Sequence, residues 1–268
     1  MPTVTLSARI GVGMTRLALA GLVLVGLDPC RAADLSVEQV RSAAAGAASN
    51  PGALRGKDLS DLDLSGLAAS GADFRGTSFF GARLVQADLR GANLEGANLN
   101  GAWLMGADFS GANLTGASLL SVVILGGQVK AMPVFRGAIL RRAKIIADLP
   151  GADLSGADLR EATIGVNIRN QGMGQMRTDL SGANLAGANL AGADVNRTLL
   201  PFANLRNANL RGTNLFRAKL GGADLTGADV TGADFSEADL TGAIFRDVKG
   251  LAEAKGLDRA ENYDKAVR

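Results

Sequence analysis

Residues 87–111 read ADLRG ANLEG ANLNG AWLMG ADFSG, five consecutive blocks with a small residue first, an apolar residue third and glycine fifth. In extended chain, side chains two apart point the same way, so Ala87 and Leu89 share an inward face. Asp88 between them and Arg90 after them then face solvent. Gly91 falls where the chain must turn, because glycine takes a positive φ at no steric cost. One short extended segment and one corner per block close a coil after four blocks. Successive coils would stack through backbone hydrogen bonds about 4.8 Å apart.

The period extends far in both directions. Ala72-Asp73-Phe74-Arg75-Gly76, Ala92-Asn93-Leu94-Glu95-Gly96 and Ala223-Asp224-Leu225-Thr226-Gly227 are typical blocks. With the third residue taken as the centre, centres fall at every fifth position from Leu59 to Val134, which makes sixteen blocks. The last three, at Ile124, Val129 and Val134, are degenerate. The phase shifts by one at Leu140 and Ile145, recovers at Leu149 and runs through Leu154, Leu159 and Ile164. It resumes at Leu180 and holds to Phe245, a further fourteen blocks. In that second run the residue two before each centre is always Ala or Thr. A larger one would overpack a narrow interior at roughly 1–3 kcal/mol. A disordered Gly/Ala-rich segment would not retain the central apolar residue so faithfully.

On these blocks the sequence resembles the pentapeptide-repeat family over about residues 57–247. The resemblance implies an all-β solenoid, a right-handed quadrilateral β-helix. Four blocks per coil carry an electrostatic consequence, since outward residues four blocks apart would stack. In the second run the columns read Asn184-Asn204-Asp224, Asn189-Asn209-Asp229 and Asp194-Asn214-Asp234, with Lys219 beside Asp239. These columns stack no two aspartates; in the first run Asp88 above Asp108 is the one such pair.

Composition narrows the chemistry. The 268 residues include 36 Gly, 9 Phe, one Trp, one Tyr, one Cys and no His. Without His there is no His-dependent triad and no imidazole zinc site. A lone Cys forbids an internal disulfide framework. Aromatics at 4% are too few for an ordinary core, so the 47% hydrophobic fraction rests on Ala, Leu and Val. No cofactor is expected.

At the N-terminus Arg9 and Arg16 precede an apolar stretch from Leu17 to Leu27, too short to span a bilayer and fitting a signal peptide. Cys30 at −3 and Ala32 at −1 place cleavage after Ala32, and Met14 is an alternative start. Asp28 and Pro29 depart from the small residues a lipoprotein signal places before its Cys, so lipidation on Cys30 is the lesser alternative. The expected location is periplasmic or secreted, with no integral membrane segment in the mature chain. Removing residues 1–32 takes three Arg and one Asp from a chain of 28 basic and 26 acidic residues, leaving the two signs equal. No net field then draws nucleic acid or an anionic membrane.

Both ends of a solenoid need cover. Ser36 with Gln39 forms a capping box and Leu35 with Val40 a hydrophobic staple, which predicts a short capping helix over about 37–48, stopped by Asn50-Pro51-Gly52. Beyond 247 the period becomes six, with Gly250-Leu251, Gly256-Leu257 and Asn262-Tyr263 followed by Ala254, Ala260 and Ala266. This reads as a different coil or a helical cap. The expected divisions are a signal peptide (1–32), capping helix and linker (33–56), repeats (57–164), a loop or irregular coil (165–177), repeats (178–247) and a C-terminal cap (248–268). Within 165–177, Met173 and Met176 offer soft thioethers to copper(I). Two thioethers without Cys or His make a poor site, and packing against the wall is the plainer reading.

The sharper anomaly is apolar residues where water is expected. Directly after the centre, four blocks apart, come Val85, Met105, Leu125 and Ile145, and directly before it stand Trp103 and Val123. Phe80, Leu120 and Leu140 form a shorter neighbouring column. A contiguous exposed apolar patch marks an interface, and Trp is a favoured anchor. The competing reading is that a loop or cap of the same chain covers the stripe. Arg90, Arg160, Arg206 and Arg211, with Arg197 and Arg217 four blocks apart, are interspersed with Asp and read as a solvated face rather than a phosphate or polysaccharide track.

The leading expectation is a non-enzymatic exported structural or interaction module, its partner an unknown protein or a second copy of itself. The resemblance offers an alternative, since some family members mimic DNA and protect gyrase. That needs a strongly acidic surface in the cytoplasm, against a neutral mature charge and an export signal. A carbohydrate-active β-helix is a third class, but no isolated acid pair stands out.

Overall fold

A computed structural model describes residues 33–46, 49–50, 52–124, 131–166 and 177–268. The expected signal peptide, the last residues of the predicted helix, Val129, Leu125 and the Met173/Met176 pair lie outside these residues.

The block Ala97 to Gly101 shows why the repeat builds coils. Ala97 N–H donates to Leu94 O at 2.9 Å and closes the corner. Asn98 N–H donates backwards to Thr77 O at 3.0 Å, while Leu99 and Gly101 donate forwards to Ser118 O and Leu120 O at 2.8 and 2.9 Å. That leaves the Asn100 N–H, which the Asn98 side chain accepts at 3.1 Å. Every N–H of the block is therefore satisfied, as buried backbone requires. The Asp or Asn before the centre is thus a turn cap, and it is mostly part-buried rather than free in solvent.

Parallel pairing follows the expected step. Asp58 pairs with Ser78, Asp63 with Arg83 and Asp73 with Asn93, each four blocks further on. Each side contributes one paired residue per coil, so only β1 (Ser118–Leu120) and β2 (Lys144–Ile146) lengthen into named strands. The Ala and the Leu or Phe of each block fill one continuous core, with Phe74, Phe79, Phe109 and Phe135 fully buried. Where Thr replaces Ala its hydroxyl is buried, and Thr198 Oγ1 has no partner among the described residues. Thr77 donates to Leu54 O at 2.7 Å and Thr213 to Leu190 O at 2.8 Å.

The step departs from four blocks at defined places. Asp108 pairs with Val134 and Ser118 with Lys144, so six extra residues enter between Ile124 and Phe135. Val134 is therefore the outward paired residue rather than a centre, which corrects the reading from periodicity. Phe135 is the centre, stacked on Phe109 at 5.0 Å with 7° between rings. Leu140 and Ile145 follow it in phase as core residues. The next coil is one residue short, Val134 pairing with Asp153. The longest coil comes after it, Asp148 pairing with Asp179, so eleven extra residues enter between Ile164 and Thr178. Thr178 seals this junction, its one hydroxyl proton shared between Ile164 O at 2.7 Å and Ile145 O at 2.9 Å.

Helix α1 (Val37–Ala45) carries the reciprocal capping box of Ser36 and Gln39, and its Val40 and Ala44 join the core cluster. At the other end the paired residues become Lys249, Lys255, Glu261 and Val267, six apart. The extra residue per side makes short 3₁₀ turns at Leu251–Glu253 and Tyr263–Lys265. Leu251, Leu257 and Tyr263 pack against the core, and Phe245 meets Tyr263 edge-to-face at 5.6 Å.

Candidate functional site

The apolar residues picked out by spacing divide into two groups. Val85 and Met105 follow the centres Leu84 and Leu104 and were expected outside, yet they are buried at 8% and 2% exposure. They sit beside the place where the six extra residues enter, and Gly106 N–H donates to Ala131 O on the returning chain at 2.8 Å. Ile145 also points inward, because the phase shift makes it a centre paired next to Leu119. Leu140 is a centre for the same reason. Leu125 lies outside the described residues.

The remaining four stay at the surface. Phe80 is 52% exposed, and Trp103, Leu120 and Val123 are part-exposed. Trp103 pairs with Arg83 on one side and Val123 on the other, so these three occupy successive coils. Arg83 lays its guanidinium 4.9 Å from the Trp103 ring centroid and reaches Asp63 at 3.6 Å. Phe80, Asn100 and Leu120 occupy the adjoining corner, where Asn100 Oδ1 accepts from the Leu120 N–H at 2.9 Å. Ile146, opposite Leu120 in the β1/β2 pair, continues that column in the place expected for Leu140. Apolar side chains thus recur on one side of four successive coils, interrupted by Asn100 and Arg83.

Around it the surface is polar and internally matched. Asp88 and Asp108 do pair across coils, and Arg90 lies between them at 2.7 and 3.9 Å. The Arg90 side chain, more than any other group, holds the Asp88 carboxyl below its ordinary range. Asp63 is lowered chiefly by the Ser65 hydroxyl and N–H. Asp148 above Asp179 is a second aspartate pair, hidden from the sequence by the long coil between them. Among the described residues no cluster of acids, Cys or His could hold a metal ion, and no helix is long and apolar enough to cross a membrane.

Two features escaped the sequence reading. Phe202 is 77% exposed at a corner where glycine is usual, with φ of 58°, and its ring lies over Gly222. Its signal was Pro201-Phe202 standing where a block normally ends in glycine. The other is a cavity of about 430 Å³ lined by Arg177, Arg197, Arg217, Lys219, Glu237 and Glu261. Arg177 precedes Arg197 and Arg217 at the same four-block spacing, but it sits at the edge of a segment that reads as a loop.

Residues 58–96, 92–121, 147–164, 178–217 and 208–247 match the family described as pentapeptide repeats, in eight copies. No curated protein matches the chain. Among solved structures it is similar to HetL, a pentapeptide repeat protein involved in heterocyst differentiation regulation from the cyanobacterium Nostoc sp. strain PCC 7120. That likeness is 28% identity over 84% of this chain and 97% of HetL, with a TM-score of 0.35. A trypsin-treated form of QnrB1, a plasmid-mediated fluoroquinolone resistance protein, is 20% identical over 79% of this chain and 87% of its own, with a TM-score of 0.28. A pentapeptide repeat protein from the Arabidopsis thaliana thylakoid lumen is 24% identical over 70% and 72%, with a TM-score of 0.12. Superpositions at this level carry no argument; the repeat match over more than half of the sequence does, and by it the chain belongs to the pentapeptide-repeat family.

Proposed function

We propose that this protein is a non-catalytic, exported scaffold that docks a protein partner, a second copy of itself first among them, on the face formed by Phe80, Trp103, Leu120, Val123 and Ile146. The observation that carries the proposal is the exposure of Phe80 beside part-exposed Trp103 on a rigid, ladder-bonded wall. Rigid aromatic anchors lose little conformational freedom on binding, which makes such a face a good docking surface. The wall itself is read as the right-handed quadrilateral β-helix of the family, a reading supported by the ladder of four blocks per coil. The acids support a non-catalytic role. Asp58, Asp63, Asp108, Asp229 and Asp234 each accept from the residue two further on, so they cap turns rather than gather in a cleft.

Light scattering on the purified protein beside a Phe80→Asp, Trp103→Asp double variant tests this. A dimer that becomes a folded monomer identifies self-association. Two monomers of equal thermal stability leave the face open to another protein. A variant that stays monomeric and melts earlier shows that the chain covers this face itself, which overturns the docking proposal. Export is tested separately by mass spectrometry of the expressed protein. A product beginning at Ala33 supports it, and an uncleaved N-terminus refutes it.

A further inference from the structure

Among the described residues, the cavity beside the corner of Arg197 and Arg217 is lined by the charged side chains Arg177, Arg197, Arg217, Lys219, Glu237 and Glu261. Its origin is the four-block coil. Arg177, Arg197, Arg217 and Glu237 each stand two residues before a member of the paired column Asp179, Leu199, Lys219 and Asp239, so they occupy the same corner of successive coils. Like charges in neighbouring rungs, about 4.8 Å apart, repel unless something neutralises them.

Neutralisation within the chain is incomplete. Arg217 pairs with Glu237 at 2.6 Å, and Lys219 reaches Glu261 and Asp239 at 3.1 and 3.9 Å. Arg177 and Arg197 have no carboxylate partner among the described residues. Instead, the Phe216 ring takes the Arg197 and Arg217 guanidinium carbons at 5.3 and 5.0 Å from its centroid. That contact holds two guanidinium groups together without satisfying their hydrogen-bond donors. A smaller basic cavity elsewhere differs on this point. There Arg141 and Arg160 both bind Asp158, at 2.6 and 2.7 Å, and Arg142 reaches Glu161 at 3.5 Å.

From this geometry we infer that the Arg177/Arg197/Arg217/Lys219 cavity is a binding site for a phosphate monoester on a small polar body. Among the described residues that line the cavity four cations stand against two carboxylates, with Asp239 beside Lys219, so the site keeps a net positive charge, and a phosphate monoester carries about −1.5 to −2 at pH 7. Arginine forks suit its oxygens. The cavity volume, about 430 Å³, lies in the small-molecule range. The charged side chains that the described residues turn to the cavity suit a hydroxylated carrier, such as a sugar or a lipid headgroup.

The test is calorimetry with glucose 6-phosphate at constant ionic strength, and co-sedimentation with phosphatidylcholine vesicles carrying phosphatidate. The decisive variant is Arg177→Ala, Arg197→Gly, since glycine is the usual residue at the Arg197 corner and preserves the fold. Arg206→Ala, Arg211→Ala removes equal charge elsewhere. The expected result is binding that falls at least about tenfold in the first variant and stays within about twofold in the second. Binding to glucose 6-phosphate alone points to a free compound, and to vesicles alone to a lipid headgroup. Binding to neither, or equal losses in both variants, overturns the proposal.

Discussion

Asp108 shows how much one position in the block decides. Its Oδ1 accepts from the Ser110 N–H at 2.8 Å and the Ser110 hydroxyl at 2.5 Å, which ties down the turn. An asparagine keeps that acceptor, and here it also removes a negative charge stacked on Asp88. Asp108→Asn is therefore expected to change the stability measured by urea unfolding by less than about 0.5 kcal/mol, in either direction. Asp108→Ala loses both bonds and is expected to cost about 1 kcal/mol. Equal effects would show that the side chain serves no capping purpose. Corner glycines are graded in the same way. Gly91 has φ of 63° and open space around a Cβ, so Gly91→Ala should cost about 1 kcal/mol, the left-handed backbone penalty alone. Gly250 has φ of 70°, and a Cβ there would stand 2.6 Å from Thr231 Cα. Gly250→Ala should cost about 2 kcal/mol or more, because backbone has to move. Thermal melts of the two variants side by side would check the order. The alternation of inward and outward residues was legible in the sequence. The capping bonds were not, because the solvent-facing reading of Asp and Asn ignores the orphan N–H two residues on.

Among the elements, α1 is the clearest case of local signals agreeing with the fold. Ser36 and Gln39 satisfy each other's N–H groups at 2.7 and 3.3 Å, while Val40, wholly buried, turns the helix onto the first coil. Ser36→Ala should lower stability by about 1 kcal/mol. Val40→Asp should uncover the end of the core and produce oligomers through the exposed edge. A monomer with unchanged melting temperature would refute that role for α1. The insertions were less legible. A five-residue count ran smoothly through Val129 and Val134 because valine suits either side of the wall. The lengths of the irregular coils come from the pairs Asp108/Val134, Val134/Asp153 and Asp148/Asp179, partners that the local pattern does not name. This error misplaced Leu140 and Ile145, and the long coil after Ile164 hid the Asp148/Asp179 pair.

For the molecule as a whole, the outward face is a lattice of carboxylates held by hydroxyls, N–H groups and arginines. Asp63, Asp73, Asp88 and Asp229 all sit below their ordinary range. The cause is the side-chain hydrogen bond from Ser65, Arg75, Arg90 and Thr231 in turn. A depressed folded value contributes stability that is complete above the unfolded value and is lost as pH falls through the folded one. With unfolded Asp near about 3.9, the melting temperature should be flat from about pH 7 to 5 and fall below about pH 4. Salt should matter less, since exposed ion pairs contribute only about 0–1 kcal/mol each. A melting temperature independent of pH down to about 2 would contradict this account.

Local repetition determined the class of fold, the inward set of Ala, Leu and Phe and the covered N-terminal end. Each of these follows from contacts within a few residues or from a strict period, and both are written in one dimension. The four-block step also named facing residues within each regular run, such as Asp88 and Asp108; across the irregular coils only the tertiary structure decided them. It buried Val85 and Met105, left Phe80 and Trp103 at the surface, and brought Arg177 into line with Arg197 and Arg217. Those outcomes depend on how much chain each coil takes up before it closes. The backbone ladder sets that length over a whole coil, from one rung to the next, beyond the reach of any single block.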